Sequence, residues 1–198
     1  MIQEFTQEIK NMVLDRLRDV HTILPGKIVA FDPDRCEASI LPYGKYKKPD
    51  GSMIDFPQLN EVPVYIMQGS GQAATVVYPV KPDDECIVLF SEQTLETWRT
   101  KAESHTDLRF DLSNATAIIG MFAKPNPLMI QAVEQDALII DRNGTRITLL
   151  PNNSITIAGN LTIQGNLNVS GTGNIGGVVV NTHTHTSTQP GTNTSGPN

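Results

Sequence analysis

The sequence predicts a mainly β protein: one N-terminal helix, a small barrel, then an intertwined β-helical stem closed by an apex. Three observations carry this. Residues 3–19 hold apolar residues at helical spacing, while Gly26–Phe90 breaks into short apolar runs separated by turn residues. From Asn153 onward, glycines recur every six residues.

In the first stretch, Phe5, Ile9, Met12, Val13 and Leu17 recur with Glu, Lys or Arg between them, the pattern of an amphipathic helix. Pro25 and Gly26 end any continuation. Such a helix docks on the body of the protein or packs on copies of itself or a partner. The strand runs are Gly26–Phe31, Cys36–Leu41, Val62–Met67, Thr75–Val80 and Glu85–Phe90. Asp32-Pro33-Asp34-Arg35 and Pro82-Asp83-Asp84 supply turns, and Pro42–Asp55 reads as a loop. Five short strands around a long loop suggest a barrel of the oligonucleotide/oligosaccharide-binding (OB) type, though periodicity alone leaves a sandwich open. Residues 91–136 are less regular, with Ala115–Phe122 one further strand or an extended arm before Pro125 and Pro127 break the chain. Asn143-Gly144 between Ala137–Ile140 and Thr145–Leu149 is a hairpin signal, because a type I′ turn needs positive φ at both central residues. The expected divisions are a helix over 1–24, a barrel over 25–100, a connecting segment over 101–136, a stem over 137–182 and an apex over 183–198.

Bulk properties narrow the function. A chain of 198 residues holds one ordinary domain or a small domain with an appendage. A net charge of -6 argues against a general nucleic-acid binder, which needs a basic face. Cys36 and Cys86 fit no metal or redox spacing and read as two buried free thiols. MIQEFTQEIKNMVLDRLRDV has no apolar core of a signal peptide, and no run is long enough to span a bilayer as a helix. Synthesis in a cytosol, with any export by another route, is therefore expected. Every Asp, Glu, Lys and Arg lies at or before Arg146, so the segment from Ile147 to Asn198 carries none.

That charge-free segment is the most informative part. Gly159, Gly165, Gly171 and Gly177 stand six apart, as do Ile157, Ile163, Val169 and Ile175. Ile155, Leu161 and Leu167 form another series. All these apolar residues are odd-numbered, as are Val179, His183 and His185, while even positions from 156 to 176 hold Thr, Ala, Asn, Gln, Ser and Gly. Strand side chains alternate faces, so an even repeat keeps one apolar face throughout. A single chain cannot bury that narrow stripe. Three parallel copies wound about an axis can, and they also pair every strand edge. His183 and His185 then point inward at the end of the stem. Threefold symmetry brings six imidazoles together, an octahedral nitrogen set that suits iron(II) or nickel(II) better than four-coordinate structural zinc. His21 and His105 lack such a setting and read as ordinary histidines.

With these residues on the page, the chain resembles the central spike proteins of contractile-tailed phages, the short-spike kind found in phage Mu. LPGKIVAFDPDRCEASILP, LNEVPVYIMQGSG, VYPVKPDDECIVLFSEQTLETW and RFDLSNATAIIGMFAKP are similar to that family's N-terminal OB domain. The hexad stem resembles its β-helix, and HTHT at 183–186 its apical metal motif. The resemblance implies a homotrimer under the tail tube, on the baseplate hub of the virion. Its tip is driven through the host outer membrane when the sheath contracts. It also implies one iron(II) ion per trimer, held by His183 and His185 of each chain, with further axial ions unassigned. No catalysis, small-molecule substrate or nucleic acid is expected.

Rival classes find less support. There is no nucleophile elbow and no HExxH, and Glu96 and Glu103 are isolated carboxylates. Gly69-Ser70-Gly71-Gln72-Ala73-Ala74 fits a phosphate-loop spacing but precedes the strand-like TVVYPV rather than a helix. Lys45, Tyr46, Lys47 and Lys48 are the one cluster that a nucleic-acid-binding OB protein could use. A trimeric tail fibre or adhesin that binds a host glycan is the remaining alternative.

Overall fold

Alternation of apolar and polar residues over five or six positions produces the central sheet. The computed structural model describes residues 2–18, 20–48, 50–103 and 108–183. The chain divides into two units, Met1–Pro125 and Asn126–Asn198. In the first, a helix α1 (Ile2–Arg18) precedes strands β1 (Ile23–Asp32) and β2 (Glu37–Pro42). A small hairpin follows, β3 (Lys45–Lys47) and β4 (Met53–Asp55), then β5 (Leu59–Pro63). A second small hairpin, β6 (Met67–Gly69) and β7 (Ala74–Val76), leads to β8 (Glu85–Phe90), helix α2 (Leu95–Thr100) and β9 (Ala115–Ile119).

Five of these strands form one antiparallel sheet in the order β5-β2-β1-β8-β9. It curls into a half-barrel. Register shifts between Ile28 and Ala30, and between Ala38 and Ile40, mark irregularities that bend the sheet. The curl brings the outer strands together: Val64, just past β5, bridges in parallel to Ala117 of β9, and the Tyr65 N–H donates to the Ala117 carbonyl at 2.8 Å. This topology fits the expected OB-like fold. Ile28, Ile40, Cys86, Val88 and Ala117 fill the concave side and are essentially inaccessible. Gly26 is required where β1 meets β2, because a Cβ there would lie 3.0 Å from Ile40 Cγ2 and 3.2 Å from the Leu41 carbonyl oxygen.

Several expectations are adjusted. The stretch Pro42–Asp55 is not a plain loop: Lys45–Lys47 pairs with Met53–Asp55. Its turn is held by Asp50, which accepts from both the N–H and the hydroxyl of Ser52. The run Val62–Met67 is split, because Pro63 cannot donate to a ladder and ends β5. Residues 101–136, read as a connection, contribute β9 to the barrel sheet through its full pairing with β8.

Helix α2 was not visible in the sequence pattern, since its stability is tertiary. Thr94 caps its N-terminus by accepting from the Glu96 N–H. Arg99 donates to the Glu61 carbonyl at 2.7 Å and lies 3.1 Å from Glu37 Oε1. Below it sits Asn114, 2% exposed. Its amide donates to the carbonyls of Ser91, Gln93 and Leu108, and its Oδ1 accepts from the Leu95 N–H at 2.8 Å. One side chain thus meets four backbone groups, three from residues 91–95 and one from Leu108. Asn114→Ala leaves those groups unpaired and is expected to cost about 3 kcal/mol. A lowered urea midpoint with an unchanged m-value checks this; an unshifted midpoint would show that water replaces the amide.

Candidate functional site

The second unit starts with a helix the sequence reading did not foresee. Chain breakage by Pro125 and Pro127 sets up its first turn, where the Asn126 side chain accepts from the Leu128 N–H. This helix, α3 (Leu128–Gln135), ends at Asp136 in a left-handed conformation. Strands β10 (Leu138–Arg142) and β11 (Thr145–Leu149) then form the expected hairpin. Asn143 and Gly144 have φ of 51° and 92°, the two positive values a type I′ turn requires. A third strand, β12 (Ile155–Ala158), pairs with β11 to complete a three-stranded sheet. Further on, β13 (Asn174–Ile175) and β14 (Val178–Val179) make a minimal hairpin.

The two faces of the three-stranded sheet differ sharply. One carries Asp141, Arg146 and Thr148. Arg146 bonds Asp141 at 2.9 Å and reaches Gln131 of α3 at 2.7 Å, and Thr148 is buried. The other face is set by register: Leu138 opposes Leu149, Ile140 opposes Ile147, and β11 places Ile147 and Leu149 opposite Ile157 and Ile155. Directly opposed residues share a face. Six aliphatic side chains therefore form an uncovered sheet surface. The odd-numbered residues Leu161, Ile163, Leu167, Val169 and Ile175 continue the series, and all eleven are between 38% and 71% exposed.

Gly159 and Gly165 bend the chain between repeats with φ of 121° and 135°, and a Cβ on Gly159 would meet Thr145 Cγ2 at 3.2 Å. Between Ala158 and Asn174 the single chain forms no strand of its own.

His183 is the last described residue. It is half-buried, its N–H donates to the Val179 carbonyl at 3.0 Å, and its Nδ1 donates to the Val180 carbonyl at 2.8 Å. That bond engages Nδ1 and orients the ring, as backbone carbonyls do for metal-ligating imidazoles. The donor chemistry thus fits a metal. His185 lies outside the described residues, as does His105. Among the described residues, no group of three or more His, Cys, Asp or Glu side chains converges within one chain.

The remaining motif residues have other surroundings. His21 packs against Phe56 and Phe90, each at 5.7 Å, and against Tyr46. The lysine cluster is broken up by the β3–β4 hairpin, where Lys45 pairs with Asp55 at 2.9 Å. Gly69–Ala74 forms a hairpin with a 3-10 turn at Ser70–Gln72, without a helix to cradle a phosphate. Cys86 is buried, which pushes its thiol up to about 11, and Cys36 is half-buried with its thiol also raised by burial. No helix among the described residues is long and apolar enough to cross a membrane.

The architecture is thus an OB-like half-barrel domain followed by a repeat-built segment with an uncovered apolar face. Residues 24–120 match the family described as the phage protein Gp138 N-terminal domain. The match covers the barrel and supports a phage structural protein, with a place in the virion. A search of curated proteins returned no match to the chain.

The latch on the covered side of the sheet is testable by pH. The Asp141 carboxyl is held below the ordinary carboxylate range, first by its hydrogen bond from Arg146, then by the Gly144 N–H. A depressed folded pKa stabilises above the unfolded value, near 4, and that contribution is lost as pH falls through the folded value. Asp141→Asn should therefore flatten the acid limb of thermal stability below about pH 5. Part of the slope should persist, because Ser113 holds Asp111 low in the same way. An unchanged acid limb would mean that Arg146 does not couple the latch to folding.

Proposed function

We propose that the chain is the central spike of a contractile phage tail: a homotrimer on the baseplate hub whose tip crosses the host outer membrane on sheath contraction. The observation that carries this reading is the uncovered face of Leu138, Ile140, Ile147, Leu149, Ile155 and Ile157, continued at period six to Ile175. Burying an aliphatic side chain contributes roughly 1.5–3 kcal/mol when complete. A face of this size left in water is a large cost, and equivalent faces from two further copies remove it. The phage domain over residues 24–120 supports the setting.

The mechanism is mechanical rather than catalytic. Force comes from the sheath, and the chain supplies a narrow, stiff point. Winding three strands together makes the stem fail cooperatively, since no strand can peel away without exposing the stripes of its neighbours. The free end is where such a bundle frays. His183 and His185 of each chain would hold one iron(II) ion there, which ties the three ends to one point and adds its binding energy to stem stability. The Thr, Asn and Ser side chains at even positions leave the outer face uncharged, which lowers the cost of passing lipid compared with Lys or Glu.

The test is light-scattering mass with elemental analysis of the same chromatographic peak. The expected result is three times the chain mass with one iron per three chains. Ile147→Lys, at the centre of the face, should shift the protein toward monomer. His183→Ala should keep the trimer mass while losing the iron and lowering the melting temperature. A metal-free monomer would overturn the spike reading.

A further inference from the structure

On the outside of the half-barrel, a cleft of about 870 Å³ runs between the segment after β5 and helix α2. Its size falls in the range of small-ligand sites. Two aromatic side chains stand on its walls, Tyr65 (54% exposed) and Trp98 (58% exposed). Each presents an apolar ring with a polar handle to the cleft, the kind of side chain that suits a binding surface. Both are held on fixed backbone. Val64 and Tyr65 are anchored by bonds to the Cys36 and Ala117 carbonyls at 3.0 and 2.8 Å. Trp98 rides on α2, which Arg99 ties to Glu61 and Glu37. The platforms are therefore pre-organised rather than dangling.

The polar lining identifies the ligand class. Gln68 and Gln72 offer side-chain amides, and three cations, Arg35, Arg99 and Lys101, line the cleft; Glu37 beside them and Glu61, 3.6 Å from Arg35, leave a surplus of one positive charge. This excess of positive charge belongs to a chain whose net charge is -6. Flat aromatic faces suit the C–H face of a pyranose ring, amides suit its hydroxyls, and cations suit an acidic substituent. A long basic track for a nucleic-acid backbone is missing, since Arg35 and Arg99 are both partly neutralised by Glu37 at 2.8 and 3.1 Å. We propose that this cleft binds an acidic oligosaccharide, with Tyr65 and Trp98 as stacking platforms and Lys101 facing its negative group. The site lies wholly in the barrel domain and does not depend on the spike reading.

Trp98 is the one tryptophan in the sequence, so intrinsic fluorescence reports this cleft alone. The experiment titrates the full-length protein with trigalacturonate, and with maltotriose as the neutral counterpart. A saturable change in emission is expected for trigalacturonate, with clearly weaker binding of maltotriose. Tyr65→Ala should weaken binding about tenfold, as loss of an aromatic anchor does. Lys101→Glu, an exposed change that leaves the barrel core untouched, should abolish the preference for the acidic sugar. By calorimetry, Trp98→Phe should retain binding. Three results would overturn the proposal: no saturable response, a response unchanged by Tyr65→Ala and Lys101→Glu, or tighter binding of polyglutamate than of the sugar. A fall in oligomer mass on Trp98→Arg would also overturn it, by making the cleft a contact between copies.

Discussion

An even-numbered repeat in an extended chain places its apolar residues on one side without end, and the second unit is organised by that constraint. From Ile155 to Ile175 the aliphatic residues stand at odd positions, and the glycines at 159 and 165 adopt positive φ where the chain must bend. Side-chain alternation then leaves no freedom to hide the stripe by local rearrangement, because a one-residue slip would move every aliphatic residue to the other face. The preceding sheet obeys the same rule. Its other face is taken by the Asp141–Arg146–Gln131 bonds to α3, so the six aliphatic residues cannot be covered from within the sheet. What remains, among the described residues, is an aliphatic surface open to solvent.

The barrel solves the opposite problem within one chain. Its outer strands approach one another at the Val64–Ala117 bridge, so the curled sheet encloses its concave side. Ile28, Ile40, Val88 and Cys86 are inaccessible. The polar groups that this closure would strand are met from inside as well. Asn114 serves the turn before α2, and Arg99 reaches the Glu61 carbonyl at a residue whose φ is 54°. The sheet of the first unit therefore buries its core within one chain, while the apolar face of the second unit's sheet, like the apolar residues Phe5, Met12 and Leu17 of α1, stays exposed.

Strands β1, β2 and β8 were legible because each alternates buried and exposed positions for at least part of its length and is bounded by a turn. The Asn143-Gly144 turn was legible because few dipeptides tolerate two positive φ values. Both short helices escaped notice. A helix of six or eight residues has little intrinsic stability, so α2 and α3 exist through Asn114, Arg99 and Arg146, partners distant in sequence. The β3–β4 hairpin was read as a loop because three-residue strands carry almost no periodic signal. The uncovered face was half visible. Parity identified Ile155 onward, but the two-residue turn pairs even Ile140 with odd Ile147, so the contribution of β10 emerges only from the register. The aromatic cleft left no sequence signal, since Tyr65 and Trp98 are 33 positions apart and meet only through the fold.

The distribution of charge ties these parts together. The last charged side chains of the sequence are Asp141, Arg142 and Arg146, and Asp141 and Arg146 pair with each other. Beyond them, apart from His183 and His185, polar side chains are amides and hydroxyls, which hydrogen-bond at a far smaller dehydration cost than ions. Within the proposed spike, a charged residue on the inner face would be buried against its own copies across the axis, where like charges repel most strongly. On the outer face it would have to shed its water during passage through lipid. At the far end of this segment His183 is tied back to it, its Nδ1 bonding the Val180 carbonyl at 2.8 Å. In the proposed spike, a segment free of Asp, Glu, Lys and Arg would meet neither penalty, on its inner face or its outer one.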